Sequence, residues 1–333
     1  MQNTVLILGA RGRLGLASVR AFADAGWRVL AQVRPGAALP HVASERGQVQ
    51  WLAMGLGDHA GIAAAAQGAG VVVHALNPAY TDRAWREQAL PMMNVSIELA
   101  RTLGASLMLP GNVYNFGRGM PQLLHEDTPQ VSQTVKGKIR IAMEQRLQTA
   151  GVRNVVIRAG DFFGSGEGTW FDRSIVKDIQ KGVFTYPGGR DVATPWAYLP
   201  DLARTFVAAA QKRQVLGSSE VLHFAGHHIT GQQWLDVLTP IALQQGWVRP
   251  GGALKFSRLP WSVIQVGGWV MPSWGALAEM RYVWDTPHAL ANDELCSLLG
   301  SEPHTALAQA ARSALKELGM LGSTSAGSRY ATA

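Results

Sequence analysis

The stretch Gly9-Ala10-Arg11-Gly12-Arg13-Leu14-Gly15 sets three glycines at three-residue intervals around two arginines, directly after the apolar run Val5-Leu6-Ile7-Leu8. This spacing suits a loop that holds a pyrophosphate. Gly9 permits a tight turn, Gly12 lets the anion reach the backbone, and Gly15 lets the next helix pack closely on the strand. The free N–H groups of that helix then face the phosphates, with Arg11, Arg13 and Leu14 along the approach. An NAD site usually carries an acid about 20 residues beyond the glycines, for the ribose 2′-hydroxyl. Here the second apolar run reads Val29-Leu30-Ala31-Gln32-Val33-Arg34, so Arg34 stands where the acid would be. A guanidinium there grips a 2′-phosphate, and NADP(H) is expected in preference to NAD(H). Further cofactor contacts are expected from Asp58 after the third strand, from Ala75, Leu76 and Asn77 at the end of the fourth, and from Pro110 at the end of the fifth.

Hydride transfer to a carbonyl-like acceptor builds negative charge on oxygen, which calls for a proton donor or a fixed cation within reach. Lys136, if desolvated near the nicotinamide, can serve as acid or base. Tyr114, just after the fifth strand, is a second candidate acid, and Asn112 a neutral donor to a substrate oxygen. Lys136, Arg140 and Glu144 recur at four-residue spacing on one helix face, a pattern that equally describes a solvent-facing stripe. Asn112 and Tyr114 are equally readable as a turn residue and a core ring. Asp161-Phe162-Phe163-Gly164 closes the sixth strand, where ligands of parallel sheets sit. His223, His227 and His228 lack a second ligand cluster, so no metal is expected.

Short β-branched runs at 5–8, 29–33, 49–53, 71–75, 106–110 and 154–158 must carry these residues. Their unbroken apolar character suits strands buried on both faces. Helical spacing fills 13–25, 61–67, 83–103 and 136–150 between them, and recurs at 200–211, 230–245 and 305–318. Alternating strands and helices predict an α/β fold, a Rossmann-type doubly wound parallel sheet with a smaller C-terminal substrate lobe. The dinucleotide domain is expected over 1–165, interleaved with 195–225, the substrate lobe over 166–320, and a flexible tail over 321–333. Trp261, Trp269, Trp274 and Trp284 with Met271 and Met280 suggest a lid over an aromatic substrate, a helical core or a homodimer face.

The chain has 333 residues, 47% of them hydrophobic and 16% charged, which is enough for a large core. Its net charge of +7 is spread without a long basic run, so a nucleic-acid partner is not expected. No apolar stretch nears the ~18 residues of a membrane span, and no membrane partner is expected. The first residues lack the pattern of a secretion signal, and the single cysteine, Cys296, fits a reducing compartment; a cytoplasmic location is expected.

The glycine spacing, Asp58 and the run 71–75 together resemble the short-chain dehydrogenase/reductase superfamily. The resemblance is to its extended and atypical branches, which include nucleotide-sugar epimerases and NmrA-like proteins. It spans residues 1 to about 165 and continues in Ala197-Tyr198-Leu199-Pro200-Asp201-Leu202-Ala203, which implies a substrate role for the C-terminal half. Most enzymes of that superfamily carry Tyr-x-x-x-Lys and a Glu four residues later. Aligned on Glu144, this chain has Lys136 at the tyrosine position and Arg140 at the lysine position. Lysines of that superfamily also bind the nicotinamide ribose, so the resemblance implies Lys136 as a cofactor contact too. The isoflavone, pinoresinol and phenylcoumaran benzylic ether reductases are similar in having Lys, Arg and Glu at this spacing. Of their Pro-Ser-Glu-Phe-Gly segment only Pro110 is matched. The resemblance implies an NADPH-dependent reductase of a small apolar or aromatic carbonyl-like compound. Two alternatives stay open: an epimerase or dehydratase of a nucleotide sugar with a displaced acid, and a non-catalytic NADP(H) redox sensor.

Overall fold

The computed structural model describes residues 3–42 and 44–321. The tail expected at 321–333 lies, Leu321 apart, outside these described residues. In chain order the first half runs β1 (Thr4–Leu8), α1 (Arg13–Asp24), β2 (Arg28–Val33), β3 (Gln48–Ala53), α2 (His59–Ala65), β4 (Val71–His74), α3 (Asp82–Leu103), β5 (Ser106–Asn112), β6 (Leu123–Leu124), α4 (Val135–Gln148) and β7 (Asn154–Ala159). The second half begins with β8 (Asp161–Phe163), β9 (Val183–Tyr186), β10 (Thr194–Tyr198), α5 (Leu199–Gln211), β11 (Ser219–Phe224), β12 (His227–Ile229) and α6 (Gly231–Gln244). It ends with β13 (Lys255–Arg258), α7 (Trp261–Gly267), α8 (Pro272–Glu279), α9 (Tyr282–Asp285), β14 (Ala289–Leu290), α10 (Asp293–Leu299) and α11 (Leu307–Glu317).

Seven parallel strands form the central sheet in the order β11-β7-β5-β4-β1-β2-β3. Every residue of β1, β4 and β7 is buried, as unbroken apolar runs demand of strands covered on both faces. One face packs on α1 and α5 through Val19, Phe22, Leu202 and Phe206. The other packs on α2, α3 and α4 through Ile62, Trp85, Met93 and Leu147. The chain winds outward from β1 to β3, then crosses back to β4. Strand order therefore reverses between β1 and β4, where an open α/β sheet offers its crevice.

The C-terminal lobe is interleaved with the sheet domain. After β10 the chain returns α5 to the flank of α1 and β11 to the sheet edge beside β7. The lobe has its own aromatic core, with Phe163, Phe171, Trp196, Trp234 and Trp284 buried. The tryptophan-rich run divides. Trp261, Trp284 and Met280 are buried, whereas Trp269 is 93% exposed at the turn between α7 and α8, with Met271 also exposed. His223 lies on β11, and His227 and His228 on the short β12. Among the described residues no group of three potential ligands could hold a metal, and no helix is long and apolar enough to cross a membrane.

Candidate active site

The glycine loop forms because Gly9 and Gly15 sit where a side chain would not fit, and Gly12 where one would be tight against the Gly9 carbonyl oxygen at 3.2 Å. Gly9 has φ +75°, and a Cβ on it would lie 2.9 Å from the Ala75 carbonyl oxygen. On Gly15 a Cβ would lie 2.3 Å from the carbonyl oxygen of Gly9, so the third glycine seats α1 against the loop. The Gln32 side chain fixes the loop from below, accepting from Gly9 N at 3.1 Å and donating to the Met54 carbonyl at 2.7 Å. α1 begins with Gly12 as its cap, with no side-chain cap and no acid in its first turn. Its first N–H groups and the positive end of its dipole thus open towards the cleft, the arrangement an anion requires.

A cleft of about 1630 Å³ runs from this loop along the carboxyl ends of the strands into the C-terminal lobe. It brings together Gly9, Arg11, Gly12, Arg13, Leu14, Arg34, Ala75, Leu76, Asn77, Pro110, Asn112 and Tyr114 from the residues expected on sequence grounds. Three expected residues are absent from its wall. Gly15 packs under the loop. Asp58 caps α2, accepting from Gly61 N at 2.9 Å. Lys136 is sealed, with its ammonium 2.6 Å from Asp82 Oδ1 and 4.6 Å from the centroid of the Tyr80 ring.

Lys136, Arg140 and Glu144 all turn inward, but to three different partners. Arg140 lines the cleft, donating to the Pro110 carbonyl at 3.1 Å and lying 5.1 Å from the Trp85 ring centroid. Burial pushes its pKa down from the usual guanidinium value. Glu144 forms a buried ion pair with Arg158 at 2.7 Å and accepts from Asn115 Nδ2 at 2.9 Å. This network backs the 3₁₀ turn Val113–Phe116, which presents Tyr114 to the cleft. Asn112 starts that turn, its side-chain oxygen accepting from Tyr114 N at 3.0 Å.

Sequence reasoning left several wall residues unassigned. Asn112 and Ala159 are register partners at the ends of β5 and β7, so Asp161 emerges beside Tyr114. Asp161 accepts the Trp284 indole N–H at 2.5 Å, and burial pushes its carboxyl up to about 7. Burial first, then the Asp161 charge, hold the Tyr114 phenol far above its ordinary value. Tyr80, on the facing wall, is raised by burial and by Tyr114. A lid segment crosses the glycine loop: Ser165 Oγ donates to the Arg13 carbonyl at 3.0 Å, and Ser165 N donates to Glu317 Oε2 at 2.7 Å. Beyond it Asp172 accepts from Gly168 N and Thr169 N, which holds Trp170 and Arg173 on the cleft wall. The position of Asp161 after a sheet strand was a signal in the sequence. The lid contacts, more than 150 positions apart in the chain, left none.

Residues 1–90 match the NmrA-like family. No curated protein matches the chain by sequence. Among solved structures, UDP-glucose 4-epimerase from Brucella ovis in complex with NAD is 15% identical, with TM-score 0.71 over 95% of this chain and 98% of its own. A nucleoside-diphosphate-sugar epimerase from Pseudomonas aeruginosa is 16% identical, with TM-score 0.69 over 95% and 97%. An NAD-dependent NDP-hexosamine 5,6-dehydratase of tunicamycin biosynthesis is 14% identical, with TM-score 0.67 over the same shares. The fold is shared with these nucleotide-sugar epimerases and this dehydratase. In this chain Lys136 is buried against Asp82, and Arg140, one helical turn later, reaches the cleft.

Proposed function

We propose that the protein is an NADPH-dependent reductase of a small apolar or aromatic acceptor with a polar double bond. The observation that carries this reading is one continuous cleft, with the glycine loop and Arg34 at one end and Asn112, Tyr114 and Asp161 among aromatic rings at the other. The glycine loop and the uncapped start of α1 fit a pyrophosphate, since a Cβ at Gly9 would crowd the Ala75 carbonyl and one at Gly15 would push α1 off the loop. Arg34, exposed at the end of β2 with no acid beside it, fits a 2′-phosphate. When bound, the reduced nicotinamide supplies hydride equivalents. Arg140 orients the ribose side, anchored on the Pro110 carbonyl. Tyr114 and Asn112 place a phenol and an amide around the heteroatom of the acceptor, fixing its approach. Trp170, Trp274 and Phe162 line the chamber and exclude water.

The test is NADPH oxidation, followed by absorbance, against a panel of aromatic ketones, aldehydes and imines. Turnover with any of them that falls at least tenfold in Tyr114→Phe supports the reading. A second reading, a nucleotide-sugar epimerase or dehydratase with Tyr114 as a displaced acid, draws on Arg173, which lies on the wall near Arg13, whose pKa is lowered first by burial and then by Arg173. Conversion of UDP-glucose without net NADPH oxidation would favour that reading over the reductase.

A further inference from the structure

The aromatic end of the cleft holds a carboxylate that no cation answers. Among the described residues no Lys, Arg or His comes within 4.0 Å of the Asp161 oxygens. Its hydrogen bond comes from the Trp284 indole, whose ring stacks on Trp261 at 5.8 Å and meets Trp170 edge-on at 4.3 Å. Trp170, Trp274 and Phe162 face the same space. The arginines of the cleft wall look elsewhere: Arg11 and Arg34 stand by the glycine loop, Arg140 donates to the Pro110 carbonyl, and neither Arg13 nor Arg173 pairs with Asp161. A carboxylate among rings costs free energy unless something pairs with it, and indole faces attract cations.

The missing acid points the same way. The tyrosine position is Lys136, locked to Asp82, and the Tyr114 phenol is held protonated far above neutrality. An acceptor that is already positive needs no proton donor. We propose that this end of the cleft takes a cationic acceptor, a protonated or N-alkylated imine, with Asp161 as its counter-ion and the indole rings as its walls. This rests on the reductase reading and names its substrate class. NADPH is the reductant: its hydride bonds to the iminium carbon, the C=N pair moves to nitrogen, and a neutral amine and NADP⁺ result. Charge balances with no proton delivered. Tyr114 accepts the N–H of a protonated imine, and Asp161 neutralises it.

Binding is read by quenching of tryptophan fluorescence, with NADPH present, using N-methylisoquinolinium and its neutral isostere methylnaphthalene. The cation is expected to bind at least tenfold more tightly to the wild type, and Asp161→Asn to erase that difference while methylnaphthalene and NADPH bind as before. Should Asp161→Asn fold poorly, the wild type alone still decides. The groups facing Asp161 are the phenols of Tyr80, Tyr114 and Tyr186, all raised by burial, and the Trp284 indole, so the carboxyl alone titrates near neutrality. The preference should fade as pH falls below about 7. Equal binding of cation and isostere, or a preference indifferent to both the substitution and pH, overturns the proposal. NADPH titrated alone separates the two failures: without NADPH binding the reductase reading falls, and the cation preference is judged on its own.

Discussion

Lys136 Nζ lies 2.6 Å from Asp82 Oδ1, with the lysine side chain 0% exposed and the aspartate 29%. This pair ties the first turn of α4 to the first turn of α3 and excludes Lys136 from the cleft wall. Breaking a fully buried pair costs about 3–5 kcal/mol; with one partner part-solvated, Lys136→Met should cost roughly 2 kcal/mol of stability. Asp82→Asn should cost a similar amount, and the double variant less than the two together. Denaturant unfolding of the three variants checks this, and unchanged midpoints would remove the structural role given to Lys136.

If the protein reduces the proposed acceptor, Tyr114→Phe removes the phenol that orients it. A hydrogen bond to a charged group contributes about 1.5–3 kcal/mol, so turnover should fall roughly ten- to hundredfold while NADPH affinity holds. Loss of NADPH affinity in step with turnover would instead mark Tyr114 as a cofactor contact.

The buried Glu144–Arg158 pair holds the turn that carries Tyr114, through Asn115. Glu144→Ala strands a buried guanidinium and should cost about 3–5 kcal/mol. Glu144→Gln keeps the acceptor for Asn115 and should retain more activity than stability. Circular-dichroism melts beside turnover measurements separate the two effects. An alanine variant as stable as the wild type would contradict the network.

How much of this was legible in the sequence differs by element. The sheet strands were readable because both of their faces are buried, and periodicity records burial. The glycine loop was readable because a φ of +75° at Gly9 and a 2.3 Å approach at Gly15 exclude other residues. Lys136 was misleading. Its spacing to Arg140 and Glu144 gave the helix face, but the partner that sealed it, Asp82, lies 54 positions earlier. Asp58 likewise combined a suitable position with a purely local use, as the cap of α2. The acidic and aromatic end of the cleft rests on contacts such as Trp284 to Asp161, 123 positions apart, which no local pattern encodes.

Among the described residues four buried histidines, His74, His223, His227 and His288, are pushed below their usual range by burial, His74 and His223 furthest. Burial pushes His74 and His223 down to about 3, so both stay neutral in the folded chain. The unfolded chain binds their protons from about pH 6.5 downwards, so stability they contribute above that value is lost as pH falls towards 3. Their joint contribution to the slope is at most about 2.7 kcal/mol per pH unit. Melting temperatures between pH 7 and 4 should fall, and less steeply in His74→Gln. A His74→Gln profile parallel to the wild type would contradict this origin.

The proposed reduction requires a dinucleotide along the glycine loop with its 2′-phosphate on Arg34. Calorimetric titration of the wild type and Arg34→Asp with NADPH and NADH tests it directly. The wild type should bind NADPH at least tenfold more tightly than NADH, about 1.4 kcal/mol, and Arg34→Asp should abolish or reverse that preference. Equal wild-type affinities would contradict the role given to Arg34, and no binding of either dinucleotide would contradict the account as a whole.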